Sequence, residues 1–259
     1  MSDKKMKSEK LLMDQRHVVI YGFSKNDIAV VIDHFAQALP DYIKIQHNTY
    51  GMLTHITLEG RHKSMGMLRF MLNRFRQSLV DLFPHEVIAT ENISPAQILG
   101  QLLSERELTV SCAESCTGGN LAHRIVQVPG SSNYFLGSVV SYSNDVKANV
   151  LGVSRSSLEK YGAVSQQVVE EMAKGVSKLM RTQCAIATSG IAGPDGGTAL
   201  KPVGTVWIAV QYCETLVTEC MRFEGDRNEV IESATNHAMV MLINLLRHCY
   251  IMQEDYNDE

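Results

Sequence analysis

Ser115 lies in the run Ala113-Glu114-Ser115-Cys116-Thr117-Gly118-Gly119, between a short apolar strand over 108–113 and a helical pattern over 118–127. A serine at such a turn stands beside the unpaired N–H groups and the positive dipole end of the new helix. That setting favours negative charge, either a ligand phosphate or the oxyanion formed when the serine attacks a carbonyl. A second run, Tyr142-Ser143-Asn144-Asp145-Val146-Lys147, follows another apolar strand over 137–142 and brings a phenol and an amine close together. Serine, lysine and tyrosine are parts for nucleophilic acyl transfer without histidine.

A serine hydroxyl needs a partner to take its proton. The histidines of the second half, His123, His237 and His248, fall within helical patterns, and nothing in the spacing sets one beside Ser115. Lys147 is the better base, because partial burial lowers an amine's pKa. Asn144 as helix N-cap puts Lys147 in a first turn, folding back over the strand end, with Tyr142 relaying a proton or orienting the pair. A third run, Thr188 to Thr198, holds four glycines and a proline after an apolar strand. It reads either as a shaped loop whose N–H groups face an anion or as an ordinary long connection. Arg227 opens the last helix and suits either a substrate phosphate or an ion pair with Glu229 or Glu232. Cys116, next to the serine, is a candidate reactive thiol. No Cys/His set has metal-ligand spacing, so neither a metal nor a cofactor is expected.

The elements that must position these groups fall into two parts. Residues 16–90 read as a small α+β unit: a strand at His17–Tyr21, a Ser24-capped helix stopped by Pro40, and paired strands at Tyr42–Gln46 and Met52–Leu58 around an Asn48–Gly51 turn. A long helix from Met65 to Leu82 and a strand at His85–Ala89 complete it. A polar boundary over 90–94 precedes Ser94-Pro95-Ala96-Gln97, a capping-box helix start. Helices over 94–106, 118–127, 144–151 and 166–181 then alternate with strands near 108–113, 137–142 and 183–188. A hairpin of Val203–Tyr212 and Leu216–Phe223 and a final helix from Asp226 to about His248 follow. The expectation is a three-layer α/β/α domain over 94–250 with a mixed sheet. Residues 1–15 read as a disordered leader and 251–259 as a frayed acidic tail.

A net charge of −4 argues against binding driven by bulk phosphate attraction. The six cysteines are scattered through apolar patterns and read as reduced, buried thiols. The most apolar helix, Ala238–Leu246, is too short for a membrane span, and no secretory signal is visible, so a cytoplasmic protein is expected.

Five motifs, taken in order, resemble the nicotinamide-nucleotide amidase family, the C-terminal domain of the competence/damage-inducible CinA proteins. They are Ala113–Gly119, Pro129-Gly130-Ser131-Ser132, Tyr142-Ser143-Asn144 with Lys147, Gly190–Pro194 and Lys201-Pro202-Val203-Gly204. Residues 16–90 are less specifically similar to the KH-like middle domain of full-length CinA. That family's first, pyrophosphatase-linked domain has no counterpart here, so its metal-dependent activity is expected to be absent. The resemblance implies hydrolysis of the carboxamide of nicotinamide mononucleotide to nicotinate mononucleotide and ammonia. The family's serine, tyrosine and lysine fall on Ser115, Tyr142 and Lys147. Substrate contacts are then expected from Glu114, Cys116, Thr117, Gly118 and Gly119, from Ser189, Gly190 and Gly193, and from Arg227. Ser189 and Ser138 depart from the family's usual threonine and glycine, and Ser138 is expected either to tighten the pocket or to alter the approach of the substrate.

The alternative is a catalytically silent nucleotide- or partner-binding module of the same family, which tight binding without turnover would reveal. A nucleic-acid role is disfavoured because residues 16–90 lack the Gly-X-X-Gly clamp of KH domains. The expected partner is the small-molecule substrate, in a homo-oligomer away from membranes.

Overall fold

The computed structural model describes the backbone of residues 11–257 and the side chains of residues 11–249. The chain forms two compact units that divide between Ile93 and Ser94.

The first unit contains β1 (Leu12–Tyr21), α1 (Lys25–Ala36), β2 (Ile43–Tyr50), β3 (Leu53–His62), α2 (Met65–Leu82) and β4 (Val87–Ala89). Its sheet is antiparallel in the order β2-β3-β1-β4. The apolar faces of α1 and α2 cover it through Ile28, Ile32, Leu68, Leu72 and Leu79, packed on Val18, Ile20, Ile56 and Leu58. β1 starts at Leu12, so residues 12–15 are strand, not leader; Asp14, Gln15 and Arg16 hid it by their polarity, yet they bond to Arg69, Glu59 and Asn73. The remainder of the expected leader, residues 1–10, lies outside the described residues. The β2–β3 turn is the pair Gly51-Met52, both with positive φ, and not Asn48–Gly51.

The second unit runs α3 (Pro95–Glu105), β5 (Val110–Glu114), α4 (Asn120–Val126), β6 (Phe135–Val140), α5 (Asn144–Leu151), α6 (Arg155–Tyr161), α7 (Gln166–Met180), β7 (Cys184–Gly190), β8 (Thr205–Tyr212), β9 (Thr215–Arg222) and α8 (Arg227–Asn257). The sheet order is β6-β5-β7-β8-β9, with β5 parallel to β6 and β7, and the last two pairs antiparallel. The mixed sheet is thus as expected. α7 covers one face, its Val168, Val169, Met172, Ala173 and Val176 packing on Ala113, Ala185, Ala187 and Ala209. Helices α3, α4 and α8 lie together with contacts to β5–β8, giving a layered α/β domain. Ser94 and Gln97 form the capping box, and Asp226 with Glu229 forms another at α8.

Two helices differ from expectation. α6 is seven residues long, too short to show a helical period. α8 continues to Asn257, past His248, so the expected tail is helical backbone as far as that residue; residues 258–259 lie outside the described range. Among the six cysteines only Cys112, Cys116 and Cys184 are buried, while Cys213 and Cys220 are exposed. No helix among the described residues is long and apolar enough to cross a membrane.

Candidate active site

Strand order reverses at β5: the chain passes from β5 to β6 on one side and later to β7 on the other. In open α/β sheets such a switch point opens a crevice at the carboxyl ends of the strands. Ser115 follows β5, Ser141 and Tyr142 follow β6, and Ser189–Gly190 end β7. A cavity of about 280 Å³ lies there, lined by Ser115, Cys116, Tyr142, Lys147, Ala163, Val164, Ser189–Gly193, Asp195, Gly196 and Arg227.

Lys147 is 1% exposed, an exceptional state for a lysine. α5 is capped by Ser143, whose hydroxyl accepts from Val146 N–H; the cap is one residue earlier than expected because Ser143, not Asn144, has the extended backbone. From the first turn the Lys147 side chain folds back to the end of β6. Its Nζ lies 2.9 Å from Ser115 Oγ, 2.7 Å from Ser141 O and 3.3 Å from Tyr142 O. α5 is held against α7 at Gly175, where a Cβ would sit 2.0 Å from Leu151 O. Burial pulls the Lys147 pKa below its ordinary value, against a weaker opposing effect of Cys116.

Nζ donates to all three oxygens. Once the amine has lost a proton, Ser141 O and Tyr142 O accept its two remaining protons and the lone pair is left for the Ser115 hydroxyl. No carboxylate pairs with Lys147 among the described residues. His123 contacts Gln127 and His237 contacts Glu219, so neither serves Ser115.

The turn after β5 departs most from expectation. Glu114 is fully buried and outside the cavity. Its carboxylate accepts from the N–H groups of Gly119, Leu121 and Ala122, so the start of α4 is occupied from within and is not open to a ligand anion. Thr117 is also internal, its hydroxyl shared between Glu114 and Thr188. Gly118 and Gly119 adopt positive φ and do not line the cavity. The N–H groups of Cys116 and Thr117 make no hydrogen bond to an oxygen among the described residues and remain beside Ser115. Burial pushes the Cys116 thiol up to about 12, so it is not the reactive thiolate that its position suggested.

Tyr142 contributes its carbonyl to Lys147, while its exposed phenol stands 3.4 Å from an Arg227 nitrogen. The phenol therefore makes no bond to Lys147 or Ser115, and the relay expected of it is absent from this geometry. Arg227 reaches the cavity, donating to Gly193 O at 2.8 Å; Glu232 pairs with Arg124 and Glu229 with the Asp226 backbone, leaving Arg227 free of both. Ser189 is 1% exposed and donates to Ala163 O. Lys201 bonds Tyr161 O and Val164 O, so the loop before α7 is tied into the cavity wall. Sequence reasoning missed Asp195, Ala163 and Val164. Asp195 stood inside the glycine-rich run and was the one carboxylate there; nothing marked the other two. Ser138 lies outside the cavity and donates to Glu114 at 3.0 Å, so it does not narrow the pocket.

Residues 92–246 match the CinA C-terminal domain. The chain belongs to the CinA family. A CinA-like protein of Flavobacterium psychrophilum is 38% identical over 226 residues, covering 87% of this chain and 54% of that relative. One from Thermotoga maritima is 34% identical over 240 residues, covering 93% and 53%. The chain thus spans about half the length of these curated relatives. A crystal structure of a CinA superfamily protein from Klebsiella pneumoniae superposes with a TM-score of 0.58 at 36% identity, covering 60% of this chain and 99% of that one. A second, from Escherichia coli, gives 0.56 at 34% identity, covering 59% and 90%.

Proposed function

We propose that this CinA-family chain deamidates nicotinamide mononucleotide, giving nicotinate mononucleotide and ammonia. The observation that carries the reading is the buried Lys147 amine at hydrogen-bond distance from Ser115, with its other protons accepted by two backbone carbonyls. Ser115 Oγ attacks the carboxamide carbon as Lys147 Nζ takes its proton. The N–H groups of Cys116 and Thr117 receive the charge that develops on the carbonyl oxygen. Lys147 returns the proton to the departing nitrogen, the C–N bond breaks and ammonia leaves. Water, deprotonated by the same amine, then attacks the ester and frees Ser115.

Asp195 and Arg227 put one negative and one positive group on the cavity wall. That pairing suits a substrate carrying a cationic pyridinium ring and an anionic phosphate, with Arg227 on the phosphate.

Mass spectrometry of nicotinamide mononucleotide incubated with the pure protein tests the proposal. A one-mass-unit gain with equimolar ammonia is expected, and Ser115→Ala should abolish both while leaving the melting temperature within about 3 °C, since it removes one hydroxyl and no packing. Tight binding of the nucleotide without turnover would overturn the proposal in favour of a silent binding module.

A further inference from the structure

Glu114 is the last residue of β5 and is 0% exposed. One carboxylate oxygen, Oε2, accepts from Thr117 Oγ1 at 2.8 Å, Gly119 N at 2.9 Å and Leu121 N at 3.0 Å. The other, Oε1, accepts from Ala122 N and Ser138 Oγ, both at 3.0 Å. No lysine, arginine or histidine pairs with it among the described residues. A buried carboxylate is costly unless its lone pairs are met. Here five donors and the positive end of α4 meet them.

The consequence falls on Ser115. The Glu114 side chain reaches forward over its own turn and grips both the turn (Thr117, Gly119) and the helix after it (Leu121, Ala122). Ser115 N–H is meanwhile fixed to Thr188 O at 3.0 Å, and Gly118 N–H to Ser115 O at 3.2 Å. Among the described residues every N–H from Ser115 to Ala122 thus has an oxygen acceptor except those of Cys116 and Thr117, which have only the Cys116 sulfur, with His123 continuing the helical pattern to Gly119 O. Those two directly follow Ser115 in the turn and lie against the Cys116 sulfur.

We propose that Glu114 is a positioning residue: its carboxylate locks the turn that presents Ser115 Oγ together with the Cys116 and Thr117 N–H groups. This rests on the reading of Ser115 as nucleophile. It does not depend on the identity of the amide. The role is one of geometry and not of charge on the base: the carboxylate makes no hydrogen bond or ion pair to Lys147, and burial sets the direction of the Lys147 shift. A glutamine cannot replace the carboxylate. Whichever way its amide is turned, its NH2 faces either the two donors of Oε1 or the three of Oε2.

The test compares wild type, Glu114→Gln and Thr117→Val, which removes one donor in a nearly isosteric side chain. Two readouts are used: the rate at which a fluorophosphonate probe labels Ser115, and kcat, KM and the pH profile with nicotinamide mononucleotide. Misplacement by an ångström costs about 10²-fold in rate, so labelling and kcat should fall together by about that factor in Glu114→Gln. A smaller fall, about fivefold to tenfold, is expected for Thr117→Val. KM should stay within about threefold and the pH limb should not move, since substrate groups and base are untouched. Where Glu114→Gln does not fold, Thr117→Val decides alone. Unchanged labelling and kcat in the folded variants would overturn the proposal, as would a shifted pH limb, which would make Glu114 a charge effector. If wild type is labelled at Ser115 but leaves nicotinamide mononucleotide intact, the substrate reading fails and the labelling comparison still decides the role of Glu114. No labelling of wild-type Ser115 overturns the proposal with its premise.

Discussion

Lys147→Met removes the amine and keeps most of the side chain's volume, so it separates the base from the packing. Methionine takes no proton, and general base catalysis is worth about 10²–10⁴ in rate; kcat for ammonia release should fall by that factor. Near neutral pH the fold should change little in stability. Two hydrogen bonds to Ser141 O and Tyr142 O are lost, at about 1 kcal/mol each, while the cost of burying the amine disappears with it. The sharper outcome is in the pH dependence. A lysine whose folded pKa lies below its ordinary 10.5 binds fewer protons in the native state between those two values. Unfolding free energy then rises with pH across that window, by about 1.4 kcal/mol per pH unit, and is flat below the folded pKa, where both states are protonated. Wild type minus Lys147→Met, from urea melts at a series of pH values, isolates this rise because the other titrating groups are common to both. In wild type kcat/KM should rise through a limb at the pKa where the stability difference begins to climb, since one amine sets both. A flat stability difference up to pH 10.5, or a rising kcat/KM limb that survives in Lys147→Met, would refute a neutral, buried base.

Tyr142→Phe keeps the carbonyl that holds Lys147 and loses only the phenol beside Arg227. Steady-state kinetics should show kcat within about threefold and the pH limb unmoved; a loss of kcat comparable to that of Lys147→Met would restore the phenol as a proton relay. Arg227→Met should raise KM for nicotinamide mononucleotide by about 10–100-fold, the worth of one charged hydrogen bond, with kcat nearly unchanged; an unchanged KM would take Arg227 off the phosphate. Gly175→Ala drives a methyl into Leu151 O and should cost about 1–3 kcal/mol in urea melts; a neutral result would mean that α5 and α7 separate freely.

The second unit was largely legible because its signals are local. Ser94 with Gln97 and Asp226 with Glu229 mark helix starts by caps that the structure forms. The short connection at Cys213–Glu214 forced the β8–β9 hairpin and hence a mixed sheet. Misses came where polar residues serve long-range partners. Asp14 and Gln15 read as leader, but Glu59 on β3 and Arg69 on α2, more than forty positions away, bond to them along the strand. Met52 takes positive φ although it is neither asparagine nor glycine, so the expected turn fell one residue too early, ending at Gly51.

At the site, spacing made the pairing of Ser115 with Lys147 available, because a first-turn lysine after a strand end can fold back over it; the burial that selects this over a solvated side chain came from the structure. What spacing could not carry was the destination of side chains within the turn. A carboxylate next to a serine reads as a ligand for substrate as readily as one for backbone, and only depth separates the two. Glu114 sits at the inner end of β5 with the helix start above it, so it fills the anion position that the same helix start seemed to offer to substrate. The donors left without an oxygen acceptor among the described residues are therefore the Cys116 and Thr117 N–H groups ahead of the helix, not those of the helix itself. The same logic applies to Tyr142. At a strand end its carbonyl and its phenol point to different neighbours, and the lysine took the carbonyl. Residue type announced a phenol, whereas the backbone supplied the contact. A site whose base is held by two main-chain oxygens depends on where the β6–α5 connection runs, so substitutions at Ser141 or Tyr142 act on Lys147 mainly through the backbone they impose.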